Sequence, residues 1–210
     1  MRLESGACAQ CWARVDASGC QFVPRPYRRG TTLFVEGEVS STVWVVKTGL
    51  VALLRAEGEE NGAGRAVAVR GPRSIVGIES LIASAYRHTA TIAIDARLCA
   101  ISSDRFAEWM GPKSSPAYVA LAQEIQTSID DERRIPRSTG SATRHVIDWL
   151  LGEMMTLPLE TPREIVADLL GIRPETLSRI LAKLARSRAI ELSRTSVKIR
   201  DRELLAHFAE

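Results

Sequence analysis

TPREIVADLLGIRPETLSRILAKLARSRAIELSRTSVKIR, residues 161–200, decides how this chain folds. Thr161-Pro162-Arg163-Glu164 reads as a capping box: the Thr161 hydroxyl accepts from the Glu164 amide, the Glu164 carboxylate reaches back, and Pro162 takes the first helical position. The helix that starts there stops at Gly171, and Pro174 opens another, so a turn of only a few residues joins the two. On the second helix Leu177, Ile180, Leu181 and Leu184 make an apolar face. Glu175, Ser178 and Arg179 share the opposite face near its N-terminal end, where a helix-turn-helix touches base edges in the major groove. Arginine forks onto guanine, glutamate accepts from a base amino group, and serine suits a base or a phosphate. The simpler alternative is a surface ion pair between Glu175 and Arg179. After the helix, AIELSRTSVKIR reads as a two-stranded wing whose Arg194, Lys198 and Arg200 are placed to grip phosphates.

Upstream, SATRHVIDWLLGEM reads as a helix that buries Val146, Ile147, Leu150 and Leu151 and leaves His145 at its surface or cap. RRIPRSTGS before it marks a domain boundary. From Pro116 the apolar residues Val119, Ala122, Ile125 and Ile129 recur at a helical period over about 18 residues. Since this segment joins two domains, the stripe reads as a dimer seam, with packing on its own domain as the alternative. Glu132 near its end is an acidic group that would face its own copy across a two-fold seam. Between Tyr27 and Ile101 the runs TTLFVEGE, STVWVV, LVALLR, AVAVRG, TATIAI and LCAIS, punctuated by glycines, predict short strands of a small antiparallel barrel or sandwich. Asn61-Gly62 is a hairpin signal inside a longer loop.

The chain has 210 residues, enough to bury a core without covalent help. Its net charge of +3 is uneven: residues 1–132 carry 14 Lys+Arg against 15 Asp+Glu, and residues 133–200 carry 13 against 7. A basic region suits an anionic partner such as DNA, or is a solvated face. No membrane span or signal-peptide run is visible, so a cytoplasmic location is expected. Three of the four cysteines, Cys8, Cys11 and Cys20, precede the first strand. In the cytoplasm a Cys-x-x-Cys points to metal or redox chemistry rather than to a structural disulfide. A thioredoxin-like dithiol enzyme would place that motif after a strand of a βαβ unit, which this arm lacks, and no nucleophile–base pair appears elsewhere, so no enzymatic activity is expected.

The short strands, the long helix and ETLSR on the second helix of the helix-turn-helix together resemble the CRP/FNR family of bacterial transcription regulators, from about Tyr27 to the end of the chain. The resemblance implies an α+β fold: an N-terminal cysteine arm (1–24), a cyclic-nucleotide-binding-like β-roll (25–112), a dimerisation helix (113–136) and a winged helix-turn-helix (137–210). It implies a homodimer on a palindrome of TTGAT-like half-sites, read by Glu175, Ser178 and Arg179 as in the FNR branch, with RNA polymerase a candidate partner. Gly77-Ile78-Glu79-Ser80-Leu81 and Arg87-His88-Thr89-Ala90 depart from the phosphate cassette of the cyclic-nucleotide branch. Ile78 stands where that branch has its ribose-binding glutamate, and His88 separates Arg87 from Thr89, so no cyclic nucleotide is expected and Arg87 reads as a surface cation. Leu98-Cys99-Ala100-Ile101 resembles the place of the fourth ligand of FNR-type oxygen sensors. The resemblance therefore implies a [4Fe–4S] cluster on Cys8, Cys11, Cys20 and Cys99, responsive to oxygen or nitric oxide. A zinc site, a thiol switch, haem, and a small molecule in the β-roll remain as alternatives, and Cys99 alone could be an ordinary buried residue.

Overall fold

The computed structural model describes residues 23–56, 64–112, 115, 118–119, 121–123, 125, 141–152, 159–193 and 196–208. Cys8, Cys11, Cys20, Asn61-Gly62, Ile129, Glu132 and Arg194 lie outside them. The chain divides into two compact units, Met1–Ile135 and Pro136–Glu210.

In the first unit, β1 (Arg25–Tyr27), β2 (Thr32–Phe34), β3 (Thr42–Arg55), β4 (Arg65–Arg70), β5 (Ile75–Val76) and β6 (Thr89–Ser102) form one antiparallel sheet. It is built on the long pairing of β3 with β6, from Thr42 opposite Ser102 to Leu54 opposite Thr89. The sequence predicts two short strands in each of these segments, split at Gly49 and between Ile94 and Leu98. The structure instead runs one 14-residue strand through each, with register shifts between Val46 and Val51. Gly49 is the reason. Its φ of +85° lets β3 kink without stopping, and an added Cβ would lie 2.3 Å from the Asp95 carbonyl oxygen and 2.6 Å from the Ala96 Cα.

Alternation along these strands sends side chains to two different cores. Trp44 and Val46 of β3 and Leu98 of β6 point into the roll, where Phe34 stacks on Tyr86 at 3.8 Å between ring centroids and meets Trp44 at 5.2 Å. The Tyr86 hydroxyl accepts from the Thr42 N–H at 2.9 Å and donates to the Thr42 carbonyl at 2.7 Å, which fixes the trio. Val43 and Val45, with Cys99 and Ile101, point the other way and pack with Phe106 of α1 (Ser103–Met110). Opposite the kink, Asp95 accepts from the Arg29 N–H at 2.8 Å and from the Arg28 guanidinium at 3.2 Å. The Arg29 backbone donor, seconded by Arg28, holds its carboxyl below the usual range.

Beyond α1, Ser115 caps a further helical stretch: its hydroxyl accepts from the Tyr118 N–H at 3.2 Å and its carbonyl from the Val119 N–H at 3.1 Å. The apolar stripe of this stretch differs from the expected one. Tyr118 and Ile125 are buried, at 6% and 7% exposure, whereas Val119 is 43% exposed. At about 100° per residue, positions 118, 122 and 125 fall within one narrow arc and 119 lies a quarter-turn away. Tyr118 therefore heads the buried stripe in place of Val119, and Ile125, expected at a dimer seam, is already buried within its own chain.

The second unit contains α2 (Ala142–Leu151), α3 (Arg163–Leu169), α4 (Pro174–Arg186), the hairpin β7 (Ile190–Leu192) and β8 (Val197–Ile199), and α5 (Arg202–His207). Val146, Ile147, Val166, Leu177, Leu181, Leu184 and Leu205 fill one core that reaches every helix. α5 is not anticipated from the sequence; its start is capped by Asp201, which accepts from the Leu204 N–H at 2.9 Å. His145, expected at the surface, is buried within α2.

Candidate DNA-reading surface

Two helix ends set the geometry of the helix-turn-helix. α3 begins one residue later than the capping-box reading requires: Pro162 supplies the first accepting carbonyl and no side chain caps the helix, while Thr161 is buried ahead of it. α3 ends as predicted. Gly171, at φ +67°, donates to the Asp168 carbonyl at 3.0 Å, and Ile172 donates to the Ala167 carbonyl at 3.0 Å, the paired bonds of a Schellman motif. That left-handed residue turns the chain into Arg173 and the Pro174 start of α4.

α4 closes in the same way around Arg188, whose φ is +65°. Its N–H donates to the Ala185 carbonyl at 3.0 Å, and Ala189 donates to the Leu184 carbonyl at 3.1 Å. A non-glycine residue there carries steric strain. Replacing Arg188 with Gly is expected to stabilise the chain by about 0.5–1 kcal/mol, read as a raised urea midpoint with an unchanged slope. An unchanged or lowered midpoint would mean that the Arg188 side chain contributes more than the strain costs.

α4 is about 20 Å long at 1.5 Å per residue and buries Leu177, Ile180, Leu181 and Leu184. Glu175, Ser178 and Arg179 are all exposed on its other side. The surface ion pair considered for Glu175 and Arg179 is not formed, since the Arg179 guanidinium instead approaches the Thr176 hydroxyl at 3.4 Å, one turn back. Among the described residues, Glu175 and Ser178 have no hydrogen-bonding side-chain partner, so all three candidate readers are exposed with little to give up on contact. Lys183, further along the exposed side, lies over the Phe208 ring at 5.5 Å and is held against α5.

The wing forms as expected, with Ile190 opposite Ile199, Glu191 opposite Lys198 and Leu192 opposite Val197. Its cations are not equivalent. Arg200 is ion-paired with Glu191, whereas Lys198 is exposed with no ion pair of its own among the described residues. The sequence reading missed Arg163, which donates to the Ser193 carbonyl at 3.1 Å and ties the start of α3 to the wing. Its position in the capping box hides that role. Removing Lys198 as Lys198→Ala is expected to weaken binding to all duplexes alike, by several-fold at moderate salt, and to lower the slope of log K against log salt by about one. A loss confined to one sequence would instead make Lys198 a base reader.

In the β-roll, Cys99 is 1% exposed, on the outer face of β6 and opposite Val45 of β3. Arg87, expected as a surface cation, is half-buried, and its Nε is buried without a hydrogen-bond partner, as is Ser80 Oγ. His88 is buried, with its Nε2 3.2 Å from the Arg55 guanidinium. Among the described residues no three His, Cys, Asp or Glu side chains gather to hold a metal ion. No described helix is long and apolar enough to cross a membrane.

Two family models match in tandem, a cyclic nucleotide-binding domain over residues 24–111 and a Crp-like helix-turn-helix domain over residues 144–208. The cyclic AMP receptor protein of Thermus thermophilus is 24% identical over 200 residues, covering 93% of this chain and 92% of that protein. The CRP-like cAMP-activated global transcriptional regulator of Mycobacterium tuberculosis is 24% identical over 203 residues, covering 90% and 89%. Among solved structures, FixK2 from Bradyrhizobium japonicum superposes with a TM-score of 0.68 at 21% identity, over 90% of this chain and 98% of that one. A CRP-family regulator from Thermus thermophilus superposes with a TM-score of 0.64 at 22% identity, over 88% and 96%.

Proposed function

Since this chain belongs to the CRP/FNR family of sequence-specific, DNA-binding transcription regulators, which are not enzymes and bind DNA as dimers, we propose that it is a redox- or oxygen-responsive member whose DNA binding is governed by an iron–sulfur cluster. Cys8, Cys11, Cys20 and Cys99 would hold the cluster, and nitric oxide is a second candidate signal. The observation that carries this reading is the place of Cys99. It lies on the side of β6 away from the interior of the roll, where Leu98 points inward, and four residues ahead of Ser103, the first residue of α1. A thiol there can face an N-terminal arm without entering the aromatic interior. The donor set fits the group: four cysteines, three of them in one arm, match the soft thiolate ligation that such clusters use. Bound there, the cluster would supply a redox-labile, thiolate-held link between the arm and the roll.

The residues of this chain supply the rest. The β3–β6 pairing fixes the Cys99 backbone, and Phe106, Val43 and Val45 exclude water around its side chain. Glu175, Ser178 and Arg179 read TTGAT-like half-sites, and a two-fold dimer sets the two α4 helices about 34 Å apart, one DNA turn. RNA polymerase is the proposed partner at the promoter, in the cytoplasm where the DNA lies.

A second reading takes its signal from a small molecule in the β-roll. It is favoured by the buried, unpartnered Ser80 Oγ and Arg87 Nε and by the relatives named for cyclic AMP, and disfavoured by Ile78 and by His88 ahead of Thr89. Anaerobic purification with iron and sulfide analysis separates the two. About four irons and four sulfides per chain, with a visible band that bleaches in air, are expected. A colourless chain after attempted reconstitution, together with calorimetric binding of cyclic AMP, would overturn the cluster and install the second reading.

A further inference from the structure

Tyr118 joins two parts of the first unit that the sequence leaves unconnected. Its hydroxyl donates to the Leu81 carbonyl at 2.9 Å. Leu81 ends the 3-10 turn Ile78–Leu81, which carries no side-chain cap and which Gly77 enters at φ +78°. The side chains of Ile78 and Leu81 pack on the cluster formed by Val43, Val45, Cys99, Ile101 and Phe106. On its other side, Tyr118 takes the third position after the Ser115 cap and shares its buried stripe with Ile125. A continuous set of contacts therefore runs from Cys99 through the Leu81 side chain and carbonyl to the Tyr118 hydroxyl, and into the helical stretch that holds Ile125.

We propose that Tyr118 is a positioning residue that couples the Cys99 face of the β-roll to the head of that helix, so that the turn and the helix open and close as one unit. The proposal rests on the reading that the β-roll carries the signal. A tyrosine is suited to the task because its rigid ring fills the interface while its hydroxyl makes a directional bond to a backbone atom. Coupling between sites needs such a shared element whose state both sides bias.

The test compares the full chain with Tyr118→Phe by native-state hydrogen exchange, alongside DNA affinity under anaerobic conditions and after air. The variant keeps the ring and loses only the hydroxyl. Protection is expected to fall about tenfold, together, at the Ile82 and Ala83 amides that donate to the Glu79 carbonyl and at the amides of residues 121–123 and 125. The ratio of DNA affinities between the two conditions is expected to shrink by about threefold or more. Loss of protection in only one of the two segments, or in neither, overturns the coupling. If Tyr118→Phe does not fold, wild-type exchange at low denaturant decides: one shared opening free energy for both segments supports the proposal, and diverging values overturn it. A wild-type chain without an air response would overturn the sensing reading, while joint loss of protection in the variant would still support the coupling.

Discussion

Arg179→Ala is expected to lower affinity for a duplex of two matched half-sites by about 10- to 100-fold, equivalent to about 1–3 kcal/mol, while its affinity for scrambled duplex changes far less. The expectation follows from the arrangement on α4. The Arg179 guanidinium is exposed, is not ion-paired to Glu175, and leans only on the Thr176 hydroxyl at 3.4 Å. Moving it onto a guanine therefore breaks no salt bridge and gains two charge-assisted hydrogen bonds. Discrimination should relax at one base pair and remain at the others. Competition between duplexes that differ at single positions measures this; equal losses on every duplex would reduce Arg179 to a phosphate contact.

The second large effect lies in the β-roll. Gly49→Ala is expected to destabilise the first unit by about 4 kcal/mol, a large share of the 5–15 kcal/mol typical of a domain. Two terms act together. The φ of +85° is costly for any residue with a Cβ, and the Cβ would sit 2.3 Å from the Asp95 carbonyl oxygen and 2.6 Å from the Ala96 Cα, deep inside van der Waals contact with backbone atoms that cannot move aside as a side chain can. Displacing β6 there also disturbs the Asp95 bonds to Arg28 and Arg29. Denaturant unfolding followed by tryptophan emission reads the loss. A midpoint unchanged within error would mean that β3 and β6 separate freely at the kink.

Much of this fold is legible in the sequence because local signals and burial agree. In residues 161–200, Gly171, Pro174 and the leucine spacing of α4 each act on their own few neighbours, so the helix-turn-helix can be read without knowing what surrounds it. The wing is legible for the same reason, although the pairing of Arg200 with Glu191, which sets it apart from Lys198, depends on cross-strand register. The β-roll is less legible. Gly49 carries the signature of a turn, but the long pairing of β3 with β6 turns the same positive φ into a kink within one strand. Tyr118 is not legible beside the aliphatic Val119, because an aromatic whose hydroxyl needs a partner declares itself only when Leu81 is beside it. His145 shows the same limit, since burial of a polar side chain is decided by elements distant in the chain.

Control of DNA binding by the proposed iron–sulfur cluster is read in one titration. The full chain, purified without air, is titrated into a labelled palindrome of TTGAT half-sites and into a scrambled control, at one fixed salt concentration, before and after exposure to air. Tight binding to the palindrome alone is expected before exposure, and at least about tenfold weaker binding after it, equivalent to about 1.4 kcal/mol. Equal affinity for the palindrome before and after air, with selectivity intact, would leave a DNA-binding regulator and contradict its control by the cluster.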